Sequence, residues 1–320
     1  MRFIVVPLLA LVTALGGQRD VGKTGDRPVR EVAVTFDDLP IAGVLPRNIE
    51  SSRDLTGKLL KAIAAHHVPT IGFVNEIKVA GPDGGVDDER VALLRAWRDA
   101  GLELGNHTFS HLDLHATPLD AFEADLVKGE TVTRRLLAER GRSERFFRHP
   151  FLHTGRDLDT RRALARFLAD RGYRIAPVTI DNDEYIFAGA YDRAAARGAA
   201  DLARRVADAY VPYMEAKMIF FERNEQELFG RPIRHVLLVH ANMLNADRFG
   251  DLAAMFERRG YRFITLDRAL EDPAYQSEDT YVGPAGITWL HRWALTSGMP
   301  KAFFAGEPEV PGFVADGARP

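Results

Sequence analysis

The sequence has no cysteine among its 320 residues. That excludes disulfides, thiolate nucleophiles and every sulfur-built zinc site, so a metal centre here must be assembled from His, Asp and Glu. An excess of either charge is also missing. Lys and Arg number 42 against 45 Asp and Glu, for a formal net charge of -3. This speaks against the basic footprint of a nucleic-acid-binding chain, and no acidic tail is present. Internal repeats and low-complexity linkers are absent too. At 46% hydrophobic and 27% charged residues, the composition is that of a folded globular chain. The length suits one large α/β domain or two small ones. Function must therefore be sought in a local site.

No apolar run reaches the roughly 20 residues that a membrane-spanning helix needs. The nearest is at the N-terminus. Met1-Arg2 carries a positive charge, Phe3 to Leu15 is almost wholly apolar, and Ala14-Leu15-Gly16 offers small residues at the spacing a signal peptidase prefers. This predicts a secretory signal over residues 1–17, no stable membrane anchor after its removal, and a periplasmic or extracellular protein. No Cys follows the run, which excludes a lipoprotein anchor.

What is present is an alternation. Apolar runs of strand character recur at Val32–Phe36, Thr70–Val74, Leu102–Leu104, Arg145–Phe147, Tyr173–Ile180, His235–Val239 and Tyr261–Ile264. Between them, helical periodicity covers Leu55–Ala65, Glu89–Ala100, Pro118–Leu137, Asp157–Arg171 and Leu252–Arg259. Gly101, Gly141, Gly172 and Gly260 each follow a helical run, as a C-terminal cap should. Strands alternating with helices imply βα units with parallel pairing, in an α/β fold of about seven strands. Residues 81–88 form a turn-rich loop. A long helical stretch from Asp192 to Leu228, with a break expected at Pro212, reads as a crossover or lid, within an insertion over residues 186–232. The catalytic unit is expected over residues 28–272. The tail, residues 273–320, carries Trp289 and Trp293 and is expected to wrap the body.

Polar clusters follow five of the apolar runs directly: Asp37-Asp38, Asn106-His107, Arg148-His149-Pro150, Asp181 to Glu184, and His240-Ala241-Asn242. In a parallel α/β barrel the C-terminal strand ends converge on one face, where active sites form. His107 and His111, four residues apart, can face one way on a helical turn and hold one metal, or can simply cap a helix. Asp38 would complete a two-His, one-carboxylate set with an open position, suited to a single divalent ion, Zn²⁺ foremost, with Co²⁺, Ni²⁺ or Fe²⁺ also accommodated. Asp37 beside it is a candidate general base, with turn formation as the other reading. His240, at the mouth of a strand, is either a core histidine or a general acid. Arg148 is expected to pair with a carboxylate on the same face.

These residues together resemble the polysaccharide deacetylase family (carbohydrate esterase family 4, the NodB homology domain). Thr35-Phe36-Asp37-Asp38 is similar to the family's first motif, His107 to His111 to its second, Arg148-His149-Pro150 to its third and Leu237 to His240 to its fifth. The resemblance implies a distorted (β/α) barrel over residues 31–270, with Asp37 as base, Asp38, His107 and His111 as metal ligands, Arg148 orienting the base and His240 as acid. It also implies an acetylated glycan as substrate and partner. The fourth motif departs from the family. Glu184, or Asp183 in its stead, stands where an acid tunes the catalytic His, and Tyr185 stands where a Trp lines the groove. Phe151 and His153 replace the usual residues after the third motif and are read, with Asp183 and Tyr185, as substrate-binding. The expected activity is removal of acetyl groups, N-acetyl favoured. The rival readings are a small-molecule amidase of the same family and a carbohydrate-binding protein whose catalytic site has lapsed.

Overall fold

The structure, a computed structural model, describes residues 29–45, 47–82 and 84–319. The segment read as a secretory signal lies outside the described residues. The first half of the chain runs β1 (Arg30–Leu39), α1 (Ile49–Ala65), β2 (Ile71–Val74), α2 (Asp88–Asp99), β3 (Glu103–Asn106), α3 (Leu119–Lys128), α4 (Thr131–Ala138) and β4 (Phe146–Phe147). Then follow α5 (Leu158–Asp170), β5 (Arg174–Ile175), α6 (Glu184–Ala196), α7 (Ala200–Phe229), β6 (Arg234–His240), α8 (Met243–Arg258) and β7 (Tyr261–Phe263). The chain closes with α9 (Leu266–Ala269), α10 (Trp289–Thr296) and α11 (Gly312–Gly317).

Local chemistry sets many of these boundaries. Asn48, Asp87, Asp157 and Asn242 accept backbone N–H bonds at the starts of α1, α2, α5 and α8, satisfying donors the first turn leaves free. Just past four helix ends, Gly101, Gly141, Gly172 and Gly260 take left-handed φ angles of 65–82°.

Every strand pairing is parallel, in the order β5-β4-β3-β2-β1-β6. β7 pairs with the beginning of β1, and β2 with its second half. A bridge from Ile180 to Leu237 brings the chain after β5 against β6. The result is a distorted (β/α) barrel. Strand periodicity then sorts the side chains of β1. Val32, Val34 and Phe36 pack into the main hydrophobic core beneath the helices. Ala33, Thr35 and Asp37 form the opposite row, with Ala33 in a second core cluster.

Three details differ from expectation. The run Tyr173–Ile180 is not one strand. Pro177 has no N–H to donate, and the chain changes partner there, from Phe147 for Ala176 to Val236 for Thr179 and Ile180. The periodic run Pro118–Leu137 divides at Gly129, which lies so close to the backbone of Thr108 and Phe109 that a Cβ would stand 2.8 Å from the Phe109 nitrogen. The long helical stretch breaks at Gly198 (φ 68°) and not at Pro212. α7 runs through Pro212 for 30 residues. Both Pro212 and Asp208, whose carbonyl would have been its partner, lie on the exposed side.

α6 and α7 pack on α8, with Phe187, Tyr210 and Met214 in the main core. Leu290, Trp293 and Val314 of the tail join the same core. Among the described residues no helix is long and apolar enough to cross a membrane.

Candidate active site

Asp37 and Asp38 end β1. Alternation along a strand would send them to opposite faces. The strand is irregular between Phe36 and Leu39, however, and Asp38 adopts φ 68°. A short polar side chain tolerates that conformation, and both carboxylates line one cavity.

His107 and His111 do not lie on a helical turn. The segment after β3 is a loop in which Thr108 and His111 both have positive φ, 63° and 59°. Its shape is imposed from outside. Asn75 donates to the His107 carbonyl at 2.6 Å, and Asp125 accepts from Ser110 through N–H and hydroxyl at 2.9 and 2.7 Å. The two imidazoles meet edge to face with centroids 4.8 Å apart. His111 Nε2 lies 3.5 Å from Asp38 Oδ1, and His107 Nε2 lies 3.8 Å from both Asp38 Oδ1 and Asp37 Oδ2.

Three observations fit this group to a divalent ion. Asp38 Oδ1 is buried with no hydrogen-bond partner. His107 Nδ1 donates to the Arg148 carbonyl at 2.8 Å, which leaves the Nε2 lone pair directed at Asp38. The protonation states also suit ligation, which needs deprotonated donors. Burial lowers His107 to about 4, and burial reinforced by His107 lowers His111 to about 4. For Asp38, burial acts to raise the pKa, but Lys78, at 3.6 Å, and the neighbouring histidines outweigh it and hold the carboxyl well below its ordinary value.

Asp37 is 3% exposed, and Arg148 is fully buried beside it. The guanidinium is held on four sides. Nε donates to the Ala176 carbonyl at 2.8 Å and Nη2 to Thr35 Oγ1 at 2.9 Å. Nη1 lies 3.2 Å from both Asp37 oxygens, and the group stacks over Phe73. Burial raises the proton affinity of Asp37, and the charge of Arg148 offsets this only in part.

His240 is the residue of β6 in register with Asp37. Its Nδ1 donates to Glu184 Oε2 at 2.8 Å. Glu184, at the start of α6 and buried, also accepts from the side-chain amides of Asn242 and Asn245. Burial alone would lower the His240 pKa. The hydrogen bond and charge of Glu184 overcome that and raise it to about 9. Asp183 faces elsewhere, accepting from the Tyr213 hydroxyl at 2.9 Å. Of the two acids in the fourth motif, Glu184 is therefore the one on the histidine.

These groups line one cavity of about 650 Å³, with Phe151, Tyr185, Asp181 and Asp183 on its walls. Phe151 stacks edge to face on His111 at 4.4 Å. Tyr185 is 58% exposed at the rim. Asp181, which the sequence reading left without a role, is pushed up to about 6 by burial. His153, expected as a substrate contact, is not among the residues that line this cavity. Its Nδ1 donates to Asp113 at 2.6 Å, and its ring lies flat on His115 at 3.9 Å and 8°. Asp113, His115 and His153 place donor atoms within 4.8 Å of one another. The lone pairs of two parallel rings run side by side and do not converge, so this trio is a hydrogen-bonded stack. Asn245, Lys78 and Asp113 carried no sequence signal of their own.

Residues 24–172 match the family model described as polysaccharide deacetylase. No curated protein matches the sequence. Similar solved structures include the peptidoglycan deacetylase PdaC from Bacillus subtilis, at 15% identity over 76% of this chain and 91% of that one, with a TM-score of 0.47. A family 4 carbohydrate esterase from Streptomyces lividans, in complex with acetate, has 17% identity over 75% and 95%, with a TM-score of 0.42. A CE4 family pseudoenzyme from Bacillus anthracis has 14% identity over 76% and 66%, with a TM-score of 0.45. The stretch that is similar to the polysaccharide deacetylase family takes in Asp37-Asp38, His107 to His111 and Arg148 to Pro150.

Proposed function

We propose that the chain is an exported, metal-dependent hydrolase that removes acetyl groups, N-acetyl rather than O-acetyl, from a glycan. One observation carries this reading. The Asp38–His107–His111 group opens into a cavity that also contains Asp37, held by Arg148, and His240, held by Glu184.

Asp38, His107 and His111 would hold the ion, with Zn²⁺, Co²⁺ and Ni²⁺ all compatible with the donor set. When bound there, a divalent metal supplies Lewis acidity toward an acyl carbonyl and toward water. Asp37 takes the proton of the attacking water through its carboxylate, whose proton affinity burial has raised. Arg148 keeps that carboxylate oriented and neutralised. His240, protonated at neutral pH, delivers a proton to the leaving nitrogen. An amide requires that delivery, because its nitrogen departs only as an amine, and this favours N-acetyl over O-acetyl substrates. Among the described residues the Phe151 N–H makes no hydrogen bond, and it is available to the developing oxyanion. Tyr185 and Asp183 line the groove for the sugar.

The test is acetate release from a panel of N- and O-acetylated glycans, N-acetylglucosamine oligomers included, with metal content measured on the same preparation. Bound metal with N-acetyl hydrolysis supports the assignment. Binding of glycans without any acetate release would replace it with the carbohydrate-binding reading.

A further inference from the structure

Phe151 and Leu152 are consecutive non-glycine residues in left-handed conformation, with φ 57° and 55°. Side chains disfavour that region, so two in succession persist only where the surroundings impose them. The surroundings here are largely the tail, beyond the residues that match the family model. The backbone of Gly286 presses directly on the turn. A Cβ at that position would stand 1.8 Å from the Phe151 carbonyl oxygen and 3.1 Å from Leu152 Cβ. Three residues on, the Trp289 N–H donates to the Val178 carbonyl at 2.7 Å, and its ring packs against Leu152, Val178 and Leu238. Arg292, 1% exposed, donates to Thr154 Oγ1 at 2.8 Å while its Nε is held by Asp279 at 2.8 Å. From the other side Asp113 holds His153, whose ring stacks on His115. Each residue from Phe151 to Thr154 thus has its own restraint, and three of the four come from the segment Gly286–Arg292.

We propose that this C-terminal strap, with Gly286 as its point of contact, is a positioning element for catalysis. It imposes the Phe151–Leu152 turn, and so sets the Phe151 N–H and ring against the metal-binding group. The inference rests on the deacetylase reading, because only there does the Phe151 N–H have a reaction to serve.

The experiment compares full-length wild type with Gly286→Ala on N-acetylglucosamine oligomers, reading kcat, KM and bound metal per chain. The added methyl cannot be accommodated without moving the turn or the strap. The expected result is a loss of at least about tenfold in kcat, part of the roughly 10²–10³-fold that an oxyanion donor supplies, with KM changed less than about threefold and metal content unchanged. Wild-type kcat in the variant would overturn the proposal while leaving the deacetylase reading intact. Loss of activity in step with loss of metal would also overturn it, by making the strap a support for the ligands alone. If Gly286→Ala yields no folded protein, Trp289→Leu, which keeps the strap backbone but removes the ring from Leu152, is judged by the same outcomes. A wild type that releases no acetate from any glycan removes both readings together.

Discussion

His240 Nδ1 lies 2.8 Å from Glu184 Oε2, and the second oxygen of that carboxylate is occupied by two asparagine amides, so the acid is held in one orientation against the histidine. Glu184→Gln keeps the shape and removes the charge. The His240 pKa, about 9 in wild type, then falls, because burial, which lowers it, is opposed only by the weaker pull of Asp38 and Asp37. The basic limb of the kcat–pH profile, expected near pH 9, should move down by about one unit or more. A limb that stays in place would show that Glu184 does not set the acid.

Asp37 and Asp38 are neighbours to which the proposed mechanism gives separable roles. Asp37→Asn should reduce acetate release by about 10²-fold or more with bound metal retained. Asp38→Ala, His107→Ala and His111→Ala should each lose the metal, with chelation of the wild type reproducing their inactivity. Metal analysis of the purified variants separates the two classes. Equal metal loss in Asp37→Asn would merge them.

Glu76 makes a prediction about stability alone. Its buried carboxylate accepts from Val132 N–H at 2.8 and 2.9 Å and from Thr133 N–H at 2.7 Å, at the start of α4. Glu76→Ala leaves two buried donors without a partner. The expected cost is roughly 2–4 kcal/mol, read as a lower denaturation midpoint. A midpoint equal to that of wild type would mean that water replaces the carboxylate.

Acid should destabilise the metal-free protein through its buried histidines, opposed by buried Asp181 and Glu144, whose carboxyls burial raises so that the folded state takes up their protons first. His107 and His111 are lowered to about 4 and His149 to about 3, in each case chiefly by burial. An unfolded histidine titrates near 6.5, so below that pH the unfolded state binds more protons and stability falls. One such residue accounts for about 2 kcal/mol at pH 5. His240 works the other way. Its contribution is complete below about pH 6.5 and is lost as the pH rises through about 9. Denaturation midpoints between pH 5 and 7 test the acid side, and His149→Phe should flatten the slope. An unchanged slope would place the proton uptake elsewhere.

Much of this protein is carried by local pattern. The absence of cysteine limits a metal site to His and carboxylate donors, and strand–helix alternation implies parallel βα units. Polar clusters after apolar runs indicate which residues gather at the strand ends. These signals are legible because strand periodicity, capping and the reach of a loop operate over a few residues. Tertiary structure decided whatever depends on distant partners. Whether Asp183 or Glu184 meets His240 was settled by a contact 56 residues away in sequence. Asp38 and His111 point into the site through left-handed backbone conformations that their residue types permit but do not require. His153 is held by Asp113, 40 residues away. The Phe151–Leu152 turn depends on a glycine 135 residues further along the chain, in a tail with no periodic signal. Residue types and spacing therefore named the candidate ligands and the chemistry open to them, whereas orientation and support came from packing between distant segments, which no local pattern encodes.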